Sequence, residues 1–180
     1  MLEDQRLLRR LRGGDKDALR RIYEKYIDDL LRVAASLLHD TQAAEDCLHD
    51  VFVNFAGSVD ELRACRDIKK YLVSCVANRA RDVLRRTARQ SDCPVEQSES
   101  PEISDNPVKQ LIAVEESDRV FSSLTELPYQ QREVFVLHVQ GGLKFREIAG
   151  LLGVSVNTVQ SRYRYGIRKL REVLDKGEQE

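Results

Sequence analysis

Residues 145–165 read FREIAGLLGVSVNTVQSRYRY, and the spacing inside this stretch decides the fold of the C-terminal part of the chain. Ala149 is small where a first helix would pass close under a second. Gly153 follows the first helix where the turn needs a left-handed residue, a conformation glycine adopts without a Cβ penalty. Val159, six residues on, is the apolar plug of the second helix, and Ile148, Leu152 and Val154 complete the buried side. Ser155 is suited to cap the second helix, because its hydroxyl can accept from a free backbone N–H. This is the pattern of a helix-turn-helix. The second helix carries Arg162, Arg164, Arg168, Lys169 and Arg171, as phosphate-binding helices do. A helical hairpin with a solvated basic face would share the basic run. The small–Gly–apolar spacing, the cap and the arginines together favour DNA binding.

Outward from this stretch, nearly every segment has helical periodicity. Residues 2–12 form a short helix ended by Gly13-Gly14. Asp15 caps the next helix, whose stripe is Ala18, Leu19, Ile22, Tyr23, Tyr26, Leu30, Val33 and Leu37. Asp40-Thr41 breaks it, and a third helix runs from about Gln42 to Phe55. Gly57 begins a polar loop lasting to about Asp67, and a fourth helix covers about 68–89. Residues 91–106, SDCPVEQSESPEISDN, contain two prolines and almost nothing apolar, so they read as a flexible linker. Asn106-Pro107 is a cap followed by proline at the first helical position, opening a helix to about Leu124. Pro128 opens another, ended by Gly141-Gly142, and the last helix extends to about Leu174. The expected fold is all-α, two small helical domains on a string. Residues 1–90 form a four-helix bundle, 91–106 an acidic linker, 107–175 the helix-turn-helix domain and 176–180 a polar tail.

The net charge of −1 hides a segregated distribution. Arg79, Arg81, Arg85, Arg86 and Arg89 crowd residues 78–90 against Asp82. Residues 91–118 hold eight acids and one base, Lys109, and residues 144–171 are basic again. Two basic patches around an acidic segment point to two nucleic-acid contacts. No apolar run reaches the 18 residues a membrane helix needs, and MLEDQRLLRRLRGGD lacks the apolar core of a signal peptide, so a cytoplasmic location is expected. Cys47, Cys65, Cys75 and Cys93 contain no C-x-x-C pair, so buried or incidental thiols are expected in place of a zinc site or disulfide. There is no phosphate loop, nucleophile elbow or H-E-x-x-H, so neither an enzyme nor a cofactor is expected.

Together these residues resemble the sigma-70 family of bacterial transcription initiation factors, in its small two-domain extracytoplasmic-function branch. Gly14-Asp15, Ala18-Leu19 and Tyr23–Tyr26 look like the start of conserved region 2. Ala44-Glu45-Asp46 and Asp50-Val51-Phe52 resemble the segment that grips core polymerase, with His49 where most relatives have Gln. Tyr71-Leu72, Asn78, Asp82, Leu84, Arg85 and Arg86 resemble the helix that reads the promoter −10 element. In that helix Tyr71 stands where Trp is common and Ala77 where Arg is common. Leu124, Leu127-Pro128, Gln131-Arg132 and Val134 resemble the start of region 4, and Glu147-Ile148-Ala149, Leu152-Gly153, Thr158-Val159 and Ser161-Arg162 complete it.

The resemblance implies a protein that binds core RNA polymerase and promoter DNA, with an anti-sigma factor as a possible further partner. It assigns −35 recognition to Ser155, Asn157, Thr158, Gln160, Ser161, Arg162, Arg164 and Arg168. Physically, Arg164 can reach guanine as a bidentate donor and Gln160 can read adenine, whereas Arg162, Arg168 and Lys169 are placed as phosphate clamps. It assigns −10 recognition and melting to Tyr71, Asn78, Arg79, Arg81, Asp82, Arg85 and Arg86, beside a loop at 56–67 that would hold an unstacked base. It assigns polymerase binding to Glu45, Asp46, His49, Asp50 and Phe52. A stand-alone helix-turn-helix regulator would explain residues 107–175 alone, and a thiol or metal sensor would use the four cysteines.

Overall fold

The computed structural model describes residues 2–58, 65, 67–91 and 123–176. The expected −10 loop, the linker, the helix ahead of Leu124 and the polar tail lie wholly or largely outside the described residues. Among the described residues the secondary structure is helical, in the order α1 Leu2–Arg12, α2 Lys16–Leu38, α3 Thr41–Gly57, α4 Ile68–Ser91, α5 Tyr129–Val139, α6 Phe145–Leu152 and α7 Val156–Lys176.

The first four helices start and stop where local chemistry dictates. The Asp15 carboxylate accepts from the Asp17 amide at 3.0 Å and opens α2. At the other end His39 takes a left-handed conformation, φ 54°, and its amide donates to Ala35 O at 2.8 Å. Asp40 then accepts from the Ala43 amide at 3.0 Å and opens α3. The α2–α3 hairpin is thus turned by one left-handed residue followed by one cap. Ile22, Leu30, Val33 and Leu37 of α2 are fully buried with Phe55 of α3 and Ile68, Leu72 and Val76 of α4. Truncating any of these to Ala would cost about 2–5 kcal/mol. α1 is tied on by Asp4, which accepts from the Tyr26 hydroxyl and from Lys25 Nζ, each at 2.8 Å.

Two buried runs show how the C-terminal helices join this bundle. An amphipathic surface helix buries one stripe. Residues 33–37 of α2 are buried without interruption, and so are residues 132–137 of α5. Each of these runs is therefore covered on all sides. α5 packs against α2 and α4 on one side and against α6 and α7 on the other. The two helical groups expected on a string are packed together through α5. Gly141, just after α5, marks the close approach: a Cβ there would lie 2.7 Å from both Val73 Cγ1 of α4 and Leu137 O.

The helix-turn-helix forms as its spacing predicts. Gly153 is left-handed at φ 66° and closes α6 through Ala149 O. Ser155 Oγ accepts from the Thr158 amide at 3.0 Å and caps α7. Val159 is fully buried, with Ile148 and Ala149 beneath it. An aromatic cluster absent from the sequence reading fills the space behind α7. His138, Phe145 and Tyr163 pack with ring centroids 4.4–5.3 Å apart, and the His138 ring donates from Nδ1 to Leu143 O at 2.8 Å.

Candidate nucleic-acid and polymerase interfaces

On α7 the residues divide cleanly between core and solvent. Val159, Gly166 and Leu170 face inward, while Asn157, Gln160, Arg164 and Arg168 are exposed. Ser155 at the cap is exposed too, and Thr158 and Ser161 are half-buried beside it. This is the geometry of a helix whose N-terminal half can enter a major groove. Arg162 departs from the expected set. It is half-buried and lines a cavity with Glu133 and Arg81, away from the exposed arginines. Tyr165, 52% exposed, belongs to the outer face, and the Arg168 guanidinium lies 5.1 Å from its ring centre. Sequence reasoning passed over Tyr165. The alternation Arg-Tyr-Arg-Tyr at 162–165 is the signal that could have found it.

The basic residues of α4 fall on two faces. Asn78, Arg81 and Arg85 follow one another at three- and four-residue intervals. Arg81 Nη2 donates to Asn78 Oδ1 at 2.6 Å, and Arg85 pairs with Asp82. The other face holds Arg79, paired with Asp50 of α3, and exposed Arg86. Asp50 is thereby turned toward α4, apart from the other residues expected to bind polymerase. Tyr71 is half-buried, its ring centre 6.1 Å from that of Phe55, and burial raises its hydroxyl pKa. Among the residues expected to contact the −10 element, it is the one that packs against the core.

A groove of about 650 Å³ runs between α2 and α3. Glu45, Asp46 and His49 line it with Tyr23, Ile27 and Phe52. Phe52 is itself buried beneath Tyr23, with ring centres 4.8 Å apart and edge-on, so it shapes the floor of the groove. Tyr23 is 45% exposed and Val53 57% exposed at its margin. An apolar trough with acidic margins suits a partner helix that is apolar on one side and basic at its borders.

Among the described residues, Cys47, Cys65 and Cys75 show no sign of an activated thiol. Cys47 is buried and its pKa is pushed up to about 12 by burial. Cys65 and Cys75 are likewise raised, chiefly by burial. Such thiols are poor nucleophiles and ligands. Cys93 lies outside the described residues. No helix among the described residues is long and apolar enough to cross a membrane.

Comparison with known proteins places these surfaces in a family. Residues 22–90 match Sigma-70 region 2, and residues 117–170 match Sigma-70 region 4. RNA polymerase sigma-H factor of Pseudomonas aeruginosa is 27% identical, over 97% of this chain and 93% of that protein. RNA polymerase sigma factor CarQ of Myxococcus xanthus is 27% identical, over 93% and 95%, and ECF sigma factor SigK of Mycobacterium tuberculosis is 26% identical, over 94% and 92%. Among solved structures, CnrH in complex with the cytosolic domain of CnrY aligns at TM-score 0.68 and 26% identity, covering 97% of this chain and 98% of that one. Sigma factor RpoE of Bartonella quintana, in complex with the anti-sigma factor NepR, aligns at TM-score 0.67 and 19% identity, covering 87% and 96%, and supports the fold alone. The chain belongs to the sigma-70 family, in its extracytoplasmic-function branch. As a sigma factor it binds core RNA polymerase and promoter DNA, and it directs transcription initiation. The stand-alone regulator reading leaves the region 2 match unexplained.

Proposed function

We propose that the three surfaces divide the work of initiation. The observation that carries this reading is the outer face of α7, capped by Ser155 and presenting Asn157, Gln160, Arg164 and Arg168 to solvent. In this reading that face docks in the major groove of the −35 element, with Thr158 and Ser161 beside it. Arg164 and Gln160 read base edges and Arg168 holds phosphate. Tyr165 adds apolar contact next to Arg164. Arg162 acts from behind, steadying α7 through its proximity to Glu133.

Residues 1–90 form the unit that holds polymerase and the −10 element, 107–175 the unit that holds the −35 element, and 91–106 the connection between them. Asn78, Arg79, Arg81, Asp82, Arg85 and Arg86 of α4 engage the −10 strand, with Tyr71 supporting the helix from the core side. The α2–α3 groove, with Glu45, Asp46, His49 and Phe52, receives core polymerase, and Asp50 fixes Arg79. The protein works in the cytoplasm, where core polymerase is, and carries no catalytic role of its own. An anti-sigma factor is a fitting regulator, since CnrH and the Bartonella RpoE are each bound by a protein of that kind or by its named partner domain. The test is run-off transcription with purified core polymerase on genomic fragments. Discrete transcripts from promoters with shared −35 and −10 elements are expected, and transcripts independent of the added protein would overturn the reading.

A further inference from the structure

The ion pair between Asp50 of α3 and Arg79 of α4 stands on a fixed base. One turn before it on each helix, the Cys47 thiol donates to Val76 O at 3.8 Å. Cys47 and Val76 are buried, as are Ala44, Ala77 and Ala80 on the same two helices. Small side chains at a helix contact let the backbones approach closely. The backbones that carry the pair are thus held against each other. Asp50 follows His49 in the sequence but does not line the α2–α3 groove.

An exposed arginine is a mobile cation with many rotamers, and Arg79 is not one. It is half-buried, its Nη2 donates to Asp50 Oδ2, and its Nε is buried with no partner among the described residues. Nη1 is the donor nitrogen left over. Reading guanine takes two guanidinium nitrogens side by side, whereas a phosphate oxygen can be held by one. Arg86, seven residues on, lies on the same side of α4, because seven residues make nearly two turns. It is exposed and has no ion pair among the described residues. This side of α4 therefore carries one fixed cation and one mobile one.

We propose that Asp50 is a positioning residue for DNA and not a polymerase contact: it holds Arg79 as a preset clamp for one backbone phosphate of the −10 strand. This rests on the assignment of α4 to the −10 element. A preset side chain spares the cost of ordering an arginine when the strand binds. The proposal predicts a sign that charge alone does not. Asp50 is a negative charge beside a polyanion, so by Coulomb repulsion its removal would tighten DNA binding. Positioning predicts weaker binding, because a released Arg79 must be ordered anew at each encounter.

The test uses holoenzyme formed from the full chain and core polymerase. Its probe is a labelled single-stranded oligodeoxynucleotide of the −10 strand, mapped by run-off transcription. Asp50→Ala should weaken binding about threefold to tenfold, and by the same factor on base-substituted oligonucleotides. Arg79→Ala should weaken all sequences alike and lower the salt slope by about 0.7, the share of one single-strand phosphate. In the Arg79→Ala background the effect of Asp50→Ala should reverse to equal or tighter binding, since only the charge effect remains. Asp50→Glu should recover most of the affinity, and the isosteric Asp50→Asn takes the place of Asp50→Ala if the latter fails to fold. Affinity for core polymerase should be the same in the Asp50 variants as in the wild type. Tighter or unchanged DNA binding by Asp50→Ala would overturn the proposal, as would a loss of core polymerase affinity. A pair that only staples α3 to α4 would lower the melting temperature and leave DNA affinity and salt slope untouched, which also contradicts it. Absence of transcripts with the wild type would sink the −10 assignment and the proposal with it. Normal transcripts with tighter DNA binding by Asp50→Ala would sink the positioning role alone.

Discussion

Glu133 Oε1 lies 3.0 Å from Arg81 Nε, a buried carboxylate of α5 facing an arginine of α4. The Tyr129 hydroxyl donates to the same oxygen at 3.2 Å. Burial nevertheless raises the Glu133 pKa, outweighing the pull of Arg81. A carboxyl with a raised folded pKa binds its proton more tightly folded than unfolded, so it erodes stability as pH rises above 4.5, the ordinary value for a glutamate. Glu133→Gln should remove that erosion. Urea midpoints compared at pH 4.5 and 7.5 should favour the variant more at the higher pH, and a parallel profile would show that Arg81 fully compensates the charge.

His39 works in the opposite direction. Burial, with the nearby Arg132 charge, lowers its pKa from 6.5 to about 4. A base with a depressed folded pKa is protonated more readily in the unfolded chain, so its contribution is complete above 6.5 and is lost as pH falls toward 4. His39→Asn keeps a residue tolerant of the left-handed backbone and lacks the titration. The wild type should lose more thermal stability than this variant between pH 7 and 5. Equal losses would place the acid sensitivity elsewhere.

The turn between α6 and α7 can be tested by local changes. Ser155→Ala removes the acceptor for the Thr158 amide and should cost about 1 kcal/mol. Gly153→Ala meets no neighbour within 4 Å, yet forces a Cβ onto φ 66°, which should cost about 1–2 kcal/mol. Chemical denaturation followed by circular dichroism reads both, and a neutral Gly153→Ala would contradict the left-handed turn.

Asp46 stands on the acidic margin of the α2–α3 groove and is exposed. Asp46→Arg should weaken binding to core polymerase while leaving the fold intact, because a reversed charge repels as well as deletes. Wild-type affinity with a normal dichroism spectrum would show that this margin only faces water.

The helix-turn-helix was legible in the sequence because its determinants are local. Gly153, Ser155 and Val159 act within one turn of the chain, and the structure uses each as the spacing implies. The helices α1 to α4 were legible because their apolar stripes are periodic and Asp15 caps α2, while Asp40, read only as a break, turns out to cap α3. The packing of α5 was not. Arg132 and Glu133 look like ordinary surface charges, and only the contact with Leu37, His39 and Arg81, distant in sequence, buries them. Asp50 and Arg162 were assigned by position along a helix. Asp50 is turned by Arg79 across a helix interface, and Arg162 lies in a cavity with Glu133, so neither orientation was visible in linear spacing.

The central claim is that α7 reads sequence with its N-terminal half and holds phosphate beyond it. Arg164 and Arg168 are both exposed and one turn apart, and Arg168 also lies against the Tyr165 ring and 4.0 Å from Glu172. The decisive measurement is fluorescence anisotropy of Arg164→Ala and Arg168→Ala across a set of −35 variants at several salt concentrations. Arg164→Ala should lose roughly 1–3 kcal/mol on the preferred sequence and relax preference at one base pair. Arg168→Ala should weaken all sequences alike and reduce the salt slope by about one unit. Identical sequence profiles for the two variants would contradict this placement of the helix, and unchanged binding in both would contradict its role in DNA recognition.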